Sequence, residues 1–532
     1  MESKLNKVEL TLYFSLWILA NLFSLYKLFE AQSDMLEKNS ALYYTIDDLK
    51  PGWRMISRLK DVSDIEWSSW KYFIQTFWFG LIVQFIISEF IRRKNISLLK
   101  YWYIISSMFF VTFNMGYRQL IVVMAQPIIF YTIIIFGGKK VSIWLTGLFL
   151  LISYNTMKYK YFFWYFLENG QLQDEQVFLI LFTVAWIELR CISFCIDYVD
   201  KIDKYKNVEN MACALPSAWE ILINLCSYVL YLPLLYIGPM ILYEDFEQSF
   251  HVTSDILMPR LKRFLWDVML FQTYTLLLEL AFHYIYFLAM QSNMEAVRNL
   301  PALALCGAGL WMGVEFHLKY VISYGTTSAF ARLDHMEPPP TPRCIARIHV
   351  YSQMWRYFDV GLYKFLVKYI YKPSFATLID NFVLSKMMYK LLASFATFLF
   401  IFMWHGTALN ILIWSVLNYL GILLELIGKE LSGTSNYKWF KQNVLKTDEM
   451  EIRFTALLCT PLLALSAISN FYLFAGTKVG NLFFENFAHP TFCNFTVISL
   501  ALYSCCHVSM ALKDISPRTD RKNIAVNMKL IQ

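Results

Sequence analysis

One histidine interrupts a strongly apolar part of the sequence and is the first candidate for chemistry. His405 follows the apolar run Leu391–Trp404 and precedes the apolar run Leu409–Leu424. An ionisable group at membrane depth is costly, so it usually faces a cavity or a partner and marks a functional site. The alternative is a histidine at the turn between two membrane spans, hydrogen-bonded among lipid headgroups. Position alone leaves the two interpretations equally open.

Asp359 is the second candidate, because it stands among aromatic residues. A carboxylate beside Trp355 and Phe358 needs a hydrogen-bonding partner or a solvated cavity. Together Asp359 and His405 would form an acid–base pair, in which the histidine accepts a proton from a nucleophile and the carboxylate either orients the histidine or helps to deprotonate an amine. The alternative for Asp359 is a weak ion pair with Arg356, three residues earlier on the same helix.

Basic residues recur at multiples of four in the same region. Arg356, Lys364, Lys368 and Lys372 would share one face of an α-helix, while much of the remaining surface is apolar. The spacing therefore predicts an amphipathic helix at the cytosolic interface. Two interpretations stay open: a helix attracted to anionic lipid, or a cationic mouth for a ligand that combines phosphate with a fatty chain, such as an acyl-CoA.

The elements that must hold these residues are membrane helices. The chain has 532 residues, of which 57% are hydrophobic and only 16% are charged, whereas soluble domains average about 25% charged residues. Apolar runs of about 18–25 residues, each long enough to span a bilayer, recur along almost the whole chain. This pattern excludes a disordered chain, a small secreted scaffold and a soluble nucleic-acid-binding protein. It predicts an all-α, polytopic membrane protein with about 10–12 transmembrane and re-entrant helices.

The distribution of charge predicts how these helices are oriented. Basic loops favour the cytosol, and the basic cluster Arg92–Lys94 follows the second apolar run. We therefore expect the N-terminus in the cytosol and the first long loop in the lumen. The expected organisation is a single domain over residues 1–532 with a lumenal loop (30–70), a cytosolic or interfacial segment that carries the aspartate (327–387), helices that flank the histidine (388–427) and a cytosolic tail (513–532).

Three blocks of the sequence resemble the membrane-bound O-acyltransferase superfamily. They are Pro338–Cys344, Met354–Leu362 and Trp404–Gly406. Within the superfamily they are similar to the branch that acylates Hedgehog proteins. That branch carries Asp where lipid-modifying and serine-modifying members generally carry Asn, which matches Asp359. A non-catalytic relative lacks the histidine that is present here as His405, so the resemblance implies an active enzyme.

The resemblance implies a protein-cysteine N-palmitoyltransferase. Such an enzyme moves palmitate from its co-substrate palmitoyl-CoA to the N-terminal cysteine of the signalling domain of a Hedgehog precursor. It would be a multi-pass protein of the endoplasmic reticulum membrane or the Golgi, surrounded by membrane lipids and without a nucleic-acid partner. The catalytic residues would be His405 and Asp359, and the acyl-CoA-binding residues would be Trp355, Arg356, Lys364 and Lys368.

Cys344 matches a family cysteine that is implicated as a ligand of haem iron. A thiolate can ligate haem iron, so the resemblance makes haem b a candidate cofactor. The alternative is a cysteine that is lipidated or merely buried at the interface.

Two other functions stay open at this point. The first is a superfamily acyltransferase that modifies a lipid or a serine hydroxyl. The second belongs to a different class, a membrane transporter without enzymatic activity, and is compatible with the composition alone. An acyl-transfer assay with different acceptors distinguishes the first alternative from a protein-cysteine N-palmitoyltransferase. Insensitivity to replacement of His405 would indicate the second.

Overall fold

The computed structural model describes residues 5–38, 48–158, 160–168, 172–206, 216–251, 256–344 and 348–515. Helices make up most of these residues. In chain order the α-helices are α1 (Lys7–Lys38), α2 (Ile65–Lys94), α3 (Leu99–Met115), α4 (Tyr117–Ile135), α5 (Lys140–Met157), α6 (Tyr161–Glu168), α7 (Asp174–Lys206), α8 (Ala218–Val229), α9 (Leu232–Leu235), α10 (Tyr243–Gln248), α11 (Leu257–Ala281), α12 (Phe287–Met290), α13 (Met294–Arg298), α14 (Ala302–Leu333), α15 (Tyr351–Tyr357), α16 (Val360–Phe365), α17 (Lys372–Asn381), α18 (Lys386–His405), α19 (Leu409–Ser432), α20 (Ser435–Phe440), α21 (Asp448–Ala488) and α22 (Phe492–Ile515). Short 3₁₀ helices (Ile96–Leu98 and Ser249–His251) and π-helices (Leu366–Tyr371 and Lys441–Leu445) connect some of them.

The prediction of an all-α membrane protein is confirmed. Across the described ranges, ten helices are long and apolar enough to cross a membrane: α1, α2, α3, α4, α7, α11, α18, α19, α21 and α22. Large apolar side chains such as Phe113, Phe149 and Trp266 point outwards from the bundle, as expected of helix faces that contact lipid. The chain is a multi-pass membrane protein.

Two long helices form much of the interior. In α7 most of the apolar stretch is buried inside the protein, and α14 is buried along most of its length. Helix α14 packs against α1, α11 and α21. It therefore connects the N-terminal helix with the C-terminal half of the bundle. Helix α14 contains the apolar run over residues 301–326 but is not among the ten helices above.

A small antiparallel hairpin covers one end of the bundle. Strands β1 (Leu49–Pro51) and β2 (Leu59–Asp61) pair with Lys50 opposite Lys60. The Asp61 carboxylate accepts the hydroxyl of Ser63 at 2.6 Å and the backbone N–H of Ala289 at 2.9 Å. Lys60 forms an ion pair with Glu279 of α11. These contacts fix the hairpin to α11 and α12.

The basic segment after residue 350 differs from the sequence prediction. The spacing of Arg356 and Lys364 predicts one continuous amphipathic helix, and that prediction is wrong. Helix α15 ends at Tyr357, and Asp359 has extended backbone angles (φ −113°, ψ 91°) as the N-cap of a new helix, α16. An aspartate that caps a helix stops the preceding turn from continuing. Arg356 and Lys364 consequently lie on different helices, and both helices bury apolar residues within the protein.

Removal of the Asp61 carboxylate should loosen the hairpin. The variant Asp61→Ala leaves the buried N–H of Ala289 without its acceptor, which costs about 1–3 kcal/mol. We expect faster amide hydrogen exchange over residues 48–62 than in the wild type, measured by mass spectrometry. Lys50→Ala is the control, since Lys50 is exposed. Unchanged exchange in Asp61→Ala would show that the hairpin is held by other contacts.

Candidate active site

The position of His405 follows from the way α18 ends. His405 is the last residue of the helix, and Gly406 follows it with φ 124° and ψ 152°. This conformation is essentially restricted to glycine, so the helix stops there and the histidine is left at its tip. The imidazole lies between the rings of Trp404 and Trp414, at centroid distances of 4.8 and 5.0 Å. His405 is exposed and lines a cavity.

Asp359 has a partner for each carboxylate oxygen. Oδ1 accepts the backbone N–H of Leu362 at 2.8 Å, and Oδ2 accepts the hydroxyl of Tyr324 at 3.0 Å. Burial raises the pKa of Asp359 above its usual value, and the two hydrogen bonds act in the opposite direction. The predicted alternative, an ion pair with Arg356, is not among the ion pairs of the described residues, and the Arg356 guanidinium instead lies 5.8 Å from the ring centroid of Tyr363.

Packing on both sides of Asp359 holds this turn in place. The ring of Phe358 stacks on Phe316 of α14, at a centroid distance of 5.3 Å and an interplanar angle of 13°. On the other side, a Cβ at Gly361 would overlap the carbonyl oxygen of Met240. Glycine at 361 therefore permits the close approach of α16 to the segment before α10. Asp359 is thus positioned by two elements that are distant in sequence.

Trp355 is held by a polar contact as well as by aromatic neighbours. Its indole N–H donates to Oδ1 of Asn418 at 3.1 Å. Its ring lies 5.5 Å from Trp414 and 5.2 Å from Phe398, measured between centroids. Because Trp414 also contacts His405, the three side chains Trp355, Trp414 and His405 form a continuous aromatic wall.

His405, Asp359 and Trp355 line the same cavity, of about 820 Å³. This volume falls within the ~300–1,000 Å³ typical of small-molecule sites. The lining combines two kinds of surface. Apolar side chains come from α15, α19 and α21, and polar side chains come from the segment between the hairpin and α2. The cavity can therefore accommodate an apolar chain and a polar group together.

The polar part of the lining contains a lysine that is neutralised by carboxylates. Lys319 of α14 lies 2.6 Å from Asp64, 2.8 Å from Glu66 and 3.6 Å from Glu315, measured between nitrogen and oxygen. A charge in such buried surroundings is stable only when it is paired. Because this lysine is surrounded by acids, the polar part of the cavity is acidic.

The three basic residues predicted for acyl-CoA binding do not line this cavity. Lys364 pairs with Asp245 at 3.3 Å. Lys368 pairs with Asp197 at 2.9 Å and with Glu244 at 3.0 Å. Together with Arg356, these lysines lie outside the set of lining residues.

The comparison with protein families agrees with the geometry of the site. Residues 170–446, more than half of the chain, match the model of the membrane-bound O-acyltransferase family, MBOAT. The chain belongs to the membrane-bound O-acyltransferase family. The matched region contains both Asp359 and His405, whereas the hairpin and α5 lie before it.

Three relatives of this MBOAT protein have protein-cysteine N-palmitoyltransferase in their names. It is 28% identical over 483 residues to the protein-cysteine N-palmitoyltransferase Rasp of Drosophila melanogaster, a match that covers 90% of each chain. It is 26% identical over 394 residues to the mouse protein-cysteine N-palmitoyltransferase HHAT-like protein, covering 73% of this chain and 72% of the relative. It is 31% identical over 209 residues to mouse protein-cysteine N-palmitoyltransferase HHAT, covering 38% and 39%. Membership of the family makes the chain an acyltransferase.

The predicted haem ligand is not part of the cavity. Cys344 is half-buried, and residues 345–347, which follow it, lie outside the described residues. Among the side chains that the structure describes, no group of three or more His, Cys, Asp or Glu residues could hold a metal ion. Neither the structure nor the comparisons support the haem.

Sequence reasoning missed three side chains of the site. Tyr324 binds Asp359, Asn418 binds Trp355, and Lys158 lines the cavity at the C-terminus of α5. Burial lowers the pKa of Lys158. Tyr324 and Asn418 lie within apolar runs, where a polar group needs a partner, and that requirement was the available signal. Lys158 ends an apolar run, as many solvent-facing lysines do, so its sequence context gave no signal.

A side chain at Gly406 should disturb His405. Gly406→Ala forces alanine into a conformation that costs on the order of 1–3 kcal/mol, and its Cβ would lie 3.3 Å from Nζ of Lys158. We expect loss of most acyl-transfer activity in the purified variant. Gly428→Ala is the matched control, because a Cβ there meets nothing within 4 Å and alanine favours a helix. Equal activity of the two variants would contradict this account of the His405 turn.

Proposed function

We propose that this acyltransferase moves palmitate from palmitoyl-CoA to the N-terminal cysteine of a secreted protein of the Hedgehog family. The names of its relatives Rasp and HHAT support a protein substrate and an acyl-CoA donor. The observation that carries the proposal is the cavity shared by His405, Asp359 and Trp355. The cavity combines an aromatic and aliphatic lining, suited to an acyl chain, with two groups suited to proton transfer.

The proposed reaction is an attack of the peptide amine on the thioester. His405 accepts a proton from the amine as the new C–N bond forms. The C–S bond then breaks, and the histidine returns the proton to the sulfur, so that CoA leaves as the thiol. Asp359 accepts a hydrogen bond from the amine and helps His405 to deprotonate it. An α-amine has an ordinary pKa of about 7.7–8.0, so a modest base is sufficient at neutral pH.

The proposed topology brings the two substrates together from opposite sides. Residues 30–70 were predicted to be lumenal, and the described part of that loop contributes Asp48 and Ser63 to the cavity lining. A secreted peptide would enter from this side, in the endoplasmic reticulum or the Golgi. Palmitoyl-CoA would enter from the cytosolic side past Trp355. Burial of its chain contributes about 0.8 kcal/mol for each methylene.

The basic residues on α15, α16 and the following π-helix are proposed to hold the CoA phosphates. Arg356 carries a guanidinium suited to phosphate. Lys364 and Lys368 are partly exposed but engaged with carboxylates. CoA phosphates would therefore replace carboxylates as the partners of these lysines.

The experiment offers three acceptors to the purified protein together with labelled palmitoyl-CoA. The acceptors are a Hedgehog N-terminal peptide, a serine peptide and a lysolipid. Palmitate on the Hedgehog peptide supports the proposal. Palmitate on the serine peptide or on the lysolipid would show that the acceptor is a serine hydroxyl or a lipid. No transfer to any acceptor would favour a membrane protein of non-enzymatic function.

The catalytic roles predict the behaviour of two variants in that assay. His405→Ala and Asp359→Asn should each lower the rate roughly 10²–10⁴-fold, the range for loss of acid–base catalysis. Asn is as good an N-cap as Asp, so Asp359→Asn removes the charge and preserves α16. The exposed residues His489 and Asp380 provide the controls His489→Ala and Asp380→Asn. Full activity in both site variants would contradict the catalytic roles of His405 and Asp359.

Haem at Cys344 stays a proposal from the resemblance alone. A haem iron needs one protein thiolate, so a cluster of several ligands is not required. If the proposal is right, the purified protein shows a Soret absorption band that is absent from Cys344→Ala. A spectrum without this band in both proteins contradicts it.

A further inference from the structure

Aromatic rings continue from His405 along one wall of the cavity. The ring of Trp404, next to the imidazole, contacts the ring of Trp186 of α7 at a centroid distance of 5.3 Å. Trp186 in turn contacts Phe182 at 5.9 Å, and Phe182 stacks on Phe178 at 5.3 Å. We refer to these four rings, from Trp404 to Phe178, as the aromatic ladder.

Most of the aromatic ladder follows one face of α7. Phe178, Phe182 and Trp186 are spaced four residues apart, so they share one face of the helix. A rise of about 1.5 Å per residue extends this part of the ladder over about 12 Å along the helix axis. All three side chains line the cavity, and so do Leu181 and Ala185 beside them. This wall consists of aromatic and aliphatic side chains, which suit a bound acyl chain.

The aromatic ladder and the proposed entrance for CoA lie on opposite sides of His405. The imidazole lies between Trp404, which begins the ladder, and Trp414, which contacts Trp355. Palmitoyl-CoA is proposed to enter past Trp355, so its CoA part stays on that side when the thioester reaches His405. The acyl chain is attached to the other end of the thioester and would continue towards α7.

The aromatic ladder ends beside charged side chains. The cavity lining on α7 begins at Phe178. Phe178 and Phe182 also line a small pocket of about 20 Å³, to which Glu66 and Lys319 contribute. Lys319 and Glu66 form an ion pair at 2.8 Å. A longer acyl chain would meet this ion pair instead of an apolar surface, and charged groups lose favourable hydration when hydrocarbon covers them.

We propose that the acyl chain lies along the aromatic ladder and that Phe178 and Phe182 determine which chain length the enzyme accepts. This inference rests on the proposed function. The carbonyl carbon lies beside His405, and the methyl end of the chain contacts the two phenylalanine rings. A shorter chain leaves part of the ladder uncovered and loses apolar contact. A longer chain has to displace a ring or contact the ion pair.

Competition between acyl-CoA donors tests the inference with the full-length protein in detergent. Myristoyl-, palmitoyl- and stearoyl-CoA, each two methylene groups longer than the one before, compete for transfer to an N-terminal cysteine peptide, and the products are separated by mass. The product ratio is a ratio of kcat/KM values, so it does not depend on how much of a variant is folded.

Two variants should change the product ratio in opposite directions. Phe178→Ala makes room at the end of the aromatic ladder, so the ratio of stearoyl to palmitoyl product should rise about 10-fold, the lower end of the range for added methylene groups in an apolar pocket. Ala185→Leu fills space beside the ladder, so the ratio of myristoyl to palmitoyl product should rise. If Phe178→Ala gives no product, Phe178→Leu and Ala185→Leu decide by the same ratios.

Phe194→Ala is the matched control. Phe194 lies on the same helix, is equally apolar and buried, and lies outside the described cavity lining, so the variant should keep the wild-type ratios. Wild-type ratios in the variants at Phe178 and Ala185 overturn the inference, as does the same change of ratio in Phe194→Ala. Absence of transfer from all three donors by the wild type would instead refute the proposed function.

Discussion

The structure depends on how ionisable groups are accommodated inside an apolar helical bundle. A charge in such a bundle needs a partner or a wet cavity, and most of the buried charges described above have partners. Lys319 is surrounded by three carboxylates, and both oxygens of Asp359 accept hydrogen bonds. His405 differs, since the described part of the chain places no hydrogen bond on its ring nitrogens and leaves it exposed to the cavity. The group that is left available is the one suited to act as a base.

The fold brings this histidine to the aspartate through elements that are far apart in sequence. Tyr324 of α14 holds one oxygen of Asp359, and Trp414 of α19 contacts both His405 and Trp355. Gly406 ends α18 directly after His405, so that the histidine lies at the tip of the helix. The cavity is thus a consequence of the packing of α14, α18 and α19 around the short helices α15 and α16. Acid–base groups and an apolar lining meet because these helices meet.

The membrane helices and the position of His405 between two of them could be predicted from sequence, because both follow from short stretches of the chain. Length and hydropathy of the apolar runs predict the membrane helices, and two flanking runs place His405 between helices. The basic face of Arg356 and Lys364 was predicted wrongly, because the side chain of Asp359 caps a new helix and interrupts the periodicity. The partners Tyr324 and Asn418 could not be assigned, since periodicity does not reveal which helix faces meet. The pairing of Asp359 with His405 was predicted from the chemistry of the two residue types and is also implied by the family resemblance, and the common cavity is consistent with it.

The central claim is that acyl transfer takes place in the cavity between His405 and Asp359. The most direct test is an experimental structure of the protein with a palmitoyl-CoA analogue in which a methylene group separates the carbonyl from the sulfur. The account predicts the chain along the apolar lining and the carbonyl carbon beside His405, so that an attacking amine lies within hydrogen-bond reach of the imidazole, about 2.6–3.2 Å. An analogue bound with its carbonyl outside this cavity would contradict the account.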